Sequence, residues 1–169
     1  MALANLANIA TENERWEEAL PLVERRLTVC RQTMDAAPEV AEAKIQVVDA
    51  MLQIFKVHRG LKRLQDSRPL LAEALPIAER LVSDQPASFA AAHLLARVLH
   101  SVAELEKAVG AWEASMAALD RQFALLEPWR SHAAQKQNVE RQLGLARVMA
   151  DWVQKKLDAV ANDTARVAD

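Results

Sequence analysis

The 169-residue sequence predicts an all-α fold of stacked helical hairpins, and three observations carry that expectation. An octapeptide, Glu-Ala-Leu-Pro-Leu-Val-Glu-Arg at 18–25, returns as Glu-Ala-Leu-Pro-Ile-Ala-Glu-Arg at 73–80, 55 residues later (73 − 18). Self-similarity at such a period marks repeated helical units. A diverged third copy at 107–114 keeps Ala108 and Glu113. The composition has only three Gly and no Tyr, so hairpin-turn chemistry is scarce and helix formers dominate. Apolar residues recur at spacings of three and four along nearly the whole chain.

A chain of this length buries a core without staples, and a single domain over 1–160 is expected. Cys30 is the only cysteine; it falls in register with Val23, Leu27 and Met34 and reads as a core thiol. A net charge of −2 gives no footing for nucleic acid. The first ten residues lack a basic leader, and no apolar run reaches membrane-spanning length, so no membrane partner and a cytoplasmic location are the default expectations.

Taken in order, residues 2–10 place Leu3, Leu6, Ala7 and Ala10 on one stripe of a short helix. Asn13 suits the N-cap of a second helix over about 14–36. That helix should bury Trp16, Ala19, Leu20, Val23, Leu27, Cys30 and Met34, and the short link makes the pair antiparallel. Pro21 lies inside it, where proline costs roughly 3 kcal/mol. Pro76 repeats the placement. Both read as local bends, with a helix beginning only at Pro21 as the alternative.

A third helix is expected from Glu39 to about Arg59, apolar over more than half its circumference and so packed on two sides. Gly60 is placed to end it. Residues 56–68 carry Lys56, Arg59, Lys62, Arg63 and Arg68 against Asp66, a net of +4 (five cations less one anion). This is either a solvated loop or helical extension, or a patch that takes phosphate or acid. A fourth helix should span about 69–83, burying Leu71, Ala74, Leu75, Ala78, Leu81 and Val82. Ser88 caps a fifth over 89–101 that buries Phe89, Ala92, Leu95, Ala96 and Leu99. A sixth, over about 104–126, should bury Ala108, Trp112, Ser115, Met116, Leu119 and Phe123. The last, about 129–160, presents Val139, Leu143, Ala146, Met149, Trp152, Val153 and Leu157, and 161–169 should fray. Trp152 reads as internally packed, with a dimer seam as the alternative.

These features resemble the tetratricopeptide repeat. In the first helix Ala92, Leu95, Ala96 and Leu99 match its pattern; in the second, Ala108 and Trp112 match, as do Ala74, Ala78, Leu81 and Pro86 in the preceding unit. Leu3, Leu6, Ala7 and Ala10, followed by Trp16, Ala19 and Val23, resemble the long-helix variety found in kinesin light chains and many bacterial signalling proteins. The resemblance covers about 2–126. It implies an α-α superhelix, a solenoid of three hairpins (2–36, 39–83 and 88–126), closed by a long capping helix. On that pattern Ala19, Ala74 and Ala108 mark close helix crossings, and Trp112 fills the space between hairpins. Three departures stand out. Arg26 occupies a usually small position, about ten extra residues lie between the helices of the central unit, and Met51 and Leu99 replace tyrosines.

A Gly-rich phosphate loop, a metalloprotease helix and a nucleophile elbow are all missing from the sequence. No enzyme and no cofactor is therefore expected. His93, Arg97, His100 and Glu104 share a helix face, but Arg97 would repel a metal cation. The resemblance instead implies that first helices line a concave groove. There His93, Arg97, His100 and Ser101 would meet a peptide, with Asp49, Gln53 and Lys56 as their counterparts in the central unit. Arg97, Lys56 and two histidines would favour an acidic segment, more so in mild acid. The plain alternative is a solvated polar face. The expected function is a non-catalytic scaffold or adaptor that binds a protein or peptide. The alternatives are a ligand-sensing domain of a larger signalling protein, or a secretion or assembly chaperone that self-associates as a homodimer.

Overall fold

The computed structural model describes residues 2–168 and the side chains of 5–163, so Leu3 of the expected first stripe lies outside the described side chains. Among the described residues there are seven α-helices and no strand: α1 (Ala2–Glu12), α2 (Trp16–Ala36), α3 (Ala41–Gly60), α4 (Arg68–Asp84), α5 (Phe89–Ala108), α6 (Trp112–Leu126) and α7 (Lys136–Ala168). Short 3-10 turns cover Leu64–Ser67 and Glu127–Trp129. The all-α expectation holds, and neighbouring helices pack as hairpins: α1 on α2, α3 on both α2 and α4, α6 on α7. Within the span expected as one domain, packing defines two compact units, Met1–Val98 and Leu99–Asp169, with the boundary inside α5.

The first helix of each hairpin ends in the same way. Glu14, Lys62 and Gly110 have φ of 56°, 59° and 77°. Their amides bond to the carbonyls of Thr11, Arg59 and Lys107, and the amides that follow bond to those of Ala10, His58 and Glu106. This is the Schellman closure, in which glycine is the favoured left-handed residue. The three positions are 48 residues apart (62 − 14 and 110 − 62). Helix ends keep the same interval: α3 and α5 each span 20 residues, and α2 and α4 end at Ala36 and Asp84 (84 − 36).

The structural period is thus 48 residues and not the 55 of the octapeptide. Both octapeptides sit in second helices, α2 and α4, but seven residues out of step (55 − 48). Seven residues make two helical turns, so the same face still points inward. Ala19, Val23, Ala74 and Ala78 are all fully buried. The residues equivalent at the true period are Ala19, Ser67 and Ser115, each 0% exposed.

This corrects several expectations. The third octapeptide copy straddles the α5–α6 turn, because α5 continues past the end expected at 101 and breaks at Gly110. Ala108 is exposed at the end of α5. The close crossing belongs to Ser115, whose Oγ donates to the carbonyl of Ala103 at 2.8 Å, both residues buried. The extra residues of the central unit are absent too. Lys62 leads into Leu64 after the same short step that takes Glu14 to Trp16 and Gly110 to Trp112. Only the first turn of that second helix is irregular, being 3-10. Asn13 does not cap α2; its Nδ2 donates back to the carbonyl of Ile9 at 2.7 Å and closes α1. Ser88 does cap α5, accepting from the Ala91 amide at 3.3 Å.

Pro21 lies five residues inside α2 and Pro76 eight inside α4, and both are exposed. The alternative start at Pro21 is therefore not taken. In α3, Val47, Val48, Ala50, Met51, Ile54, Phe55 and Val57 are buried, as befits a helix covered on two sides. Gly60 brings the end of α3 against Trp16: a Cβ there would stand 2.3 Å from the indole Cδ2. In the second unit Ala103, Ala118, Leu119 and Ala146 form a core flanked by Val102, Phe123 and Met149. α7 starts at Lys136 rather than near 129 because Pro128 falls in the preceding 3-10 turn, and it continues to Ala168, past the end expected near 160.

Candidate functional site

In the unit Met1–Val98, polar side chains from α1, α2 and α3 form a connected set. Arg26 on α2 donates to Gln53 Oε1 at 2.5 Å. Gln53 in turn donates from Nε2 to Asn8 Oδ1 at 2.9 Å. One amide thus ties α3 to both helices of the first hairpin. Beside it lies a cavity of 110 Å³ lined by Ala7, Asn8, Thr11, Val23, Gln53 and Lys56. Its floor is apolar and small, and its rim carries an amide pair and an exposed ammonium. That combination suits backbone amides or a polar side chain of a bound segment.

Further along, Arg97 on α5 contacts Asp49 on α3 at 2.6 Å, with the two side chains 38% and 32% exposed. The two residues are 48 apart (97 − 49) and therefore occupy the same position in successive hairpins. A charge-assisted bond at this distance holds both groups in place. It also removes the basis for an acid preference at Arg97, because the guanidinium already has its carboxylate.

The remaining candidates are placed as follows. His93 is half-buried, its ring centroid 5.4 Å from that of Phe89 one turn earlier on α5. His100 is half-buried, and Ser101, expected to face a groove, is buried at 8% exposure. Both belong to the second unit, whereas Asp49, Gln53, Lys56, His93 and Arg97 belong to the first. Asn8, Thr11 and Arg26 were not singled out as site residues. Arg26 carried a signal, a long cation at a small-residue position, and Asn8 becomes visible once the period is known, since Lys56 is its equivalent. Among the described residues no group of three His, Cys, Asp or Glu side chains is placed to hold a metal ion.

Residues 1–37 match the family model of the tetratricopeptide repeat. The likeness covers the first hairpin. The match spans α1 and α2, including both the Trp16 and Ala19 positions and the left-handed turn at Glu14. It names the repeat and not the long-helix variety. No curated protein and no solved structure matches the chain. Tetratricopeptide repeats generally mediate contacts between proteins, and beyond residue 37 the left-handed turn that ends the first helix recurs at Lys62 and Gly110, at the 48-residue interval. No helix among the described residues is long and apolar enough to cross a membrane.

Proposed function

We propose that this protein is a non-catalytic adaptor whose unit Met1–Val98 binds a protein or peptide segment. The segment lies along the polar face of α1, α3 and the first half of α5. The observation that supports the reading most directly is the cavity at Asn8, Gln53 and Lys56. Its hydrogen-bonding groups are held by Arg26 before any partner arrives, so little ordering entropy remains to be lost on binding. The Asp49–Arg97 pair marks the far end of the same face and positions it without supplying net charge.

Peptides selected from a random library against the whole protein test this reading. Lys56 is exposed, so Lys56→Glu leaves the core intact, and Gln53→Ala removes the central amide. Together they should weaken the selected peptides by about tenfold or more, a loss of ~1.4 kcal/mol. Binders indifferent to both changes would remove this face from the account.

A further inference from the structure

We propose that the turn joining α3 to α4 receives a carboxylate-rich stretch of the bound segment, an assignment that rests on the peptide-binding function above. Lys56, Arg59, Lys62, Arg63 and Arg68 stand there against Asp66, a net of +4 within a chain of −2, so the rest of the chain sums to −6 (−2 − 4). All five cations are exposed, with Arg59 and Arg68 already engaged in interactions within the protein. Arg63 pairs with Asp66 at 2.6 Å, but with the two side chains 58% and 44% exposed the pair stays open to an incoming carboxylate.

Two comparisons within the molecule separate this turn from an ordinary solvated loop. At the 48-residue interval, the five basic positions correspond to Asn8, Thr11, Glu14, Arg15 and Leu20 in the first hairpin. In the third they correspond to Glu104, Lys107, Gly110, Ala111 and Met116. The same Schellman turn is therefore built elsewhere without the charge. Lys62 is also held at φ 59°, in the left-handed region that disfavours a side chain, where the preceding hairpin has Glu14 at 56° and the next has Gly110 at 77°. The lysine stands against the preference of its own turn. Lys56 connects the two regions, since it lines the cavity and begins the basic run.

The occupant is a protein segment rather than a longer polyanion. A nucleic acid following this patch would run onto a surface of net negative charge. Residues 56–68 contain no Phe, Tyr or Trp to stack a base. Their leucines, Leu61 and Leu64, are half-buried and offer no wedge to lipid.

Fluorescence anisotropy with a labelled octapeptide containing four glutamates tests the assignment, beside its Gln-for-Glu analogue, a single-stranded oligonucleotide and anionic vesicles. The glutamate peptide should bind about tenfold tighter than the analogue, and Lys62→Glu should abolish that difference. Lys62→Gly should weaken the glutamate peptide several-fold while raising the urea midpoint, which separates the charge from the fold. Equal binding of the two peptides, indifference to Lys62→Glu, or oligonucleotide or vesicle binding as tight as the glutamate peptide would overturn it. Library peptides that need Gln53 and Lys56 but carry no acid would sink this assignment alone; peptides indifferent to both residues would sink the function beneath it.

Discussion

At the scale of single residues, the account turns on positions where one atom decides the outcome. Gly60 lets α3 end against the Trp16 indole, where any Cβ would fall 2.3 Å from a ring carbon. Gly60→Ala should cost about 1–3 kcal/mol, as overpacking does, read from the urea midpoint; an unchanged midpoint would mean that the indole moves freely. His58 is 7% exposed and its Nδ1 shares a 2.8 Å hydrogen bond with the buried Ser67 Oγ. Burial holds its pKa below 6.5; Arg63 adds to the lowering, and Asp66 and Glu24 oppose it. An unfolded histidine takes a proton near pH 6.5 while the folded one stays neutral. The stability it contributes is therefore complete above that pH and is lost as pH falls below it. Urea midpoints at pH 7.5 and about 5.5 should differ in this direction, and His58→Gln should flatten the difference.

At the scale of elements, small residues set how closely paired helices approach. Ala19, Ser67 and Ser115 are each fully buried at equivalent points of α2, the 3-10 turn before α4, and α6. Ala19→Leu or Ser115→Leu should wedge a hairpin apart and cost about 3 kcal/mol, and Ser115→Leu also breaks the bond to Ala103. Thermal unfolding measures this, and a loss no larger than that of an exposed substitution such as Leu145→Ala would contradict it. Much of this packing was legible in the sequence. Helical spacing located Val23, Leu27, Cys30, Leu71 and Leu119, because a buried stripe repeats whatever turn precedes it. The α5–α6 turn was not legible, since the fifth helix was expected to stop at 101 and the sixth to begin near 104, while the chain breaks at Gly110. Nor was Lys62, because a left-handed turn built on lysine carries no glycine to announce it.

At the scale of the molecule, the octapeptide revealed a repeat but misstated its period. Two copies offset by two helical turns present the same inward face, so residue identity alone cannot separate 55 from 48. Turn geometry does. The 48-residue interval carries α5 onto α7, which begins at Lys136 where 137 is expected (89 + 48). The equivalents of Ala92, Leu99 and Ala103 there are Glu140, Arg147 and Asp151. Those charged side chains stand where α5 has buried apolar ones. Of the proposed site, Asp49, Gln53, Lys56 and Arg97 were expected from the resemblance to the repeat family. Their partners Asn8 and Arg26 were not, since hydrogen bonds between helices 27 and 45 residues apart leave no local pattern.

The central claim is that a segment of another protein lies on α1, α3 and the first half of α5. Amide chemical-shift mapping of the ¹⁵N-labelled protein with a library-selected peptide tests it most directly. The account predicts that the shifts centre on Asn8, Gln53 and Lys56 and extend toward Asp49 and Arg97. Shifts centred instead on the exposed Leu145, Val148 and Trp152 of α7 would contradict it.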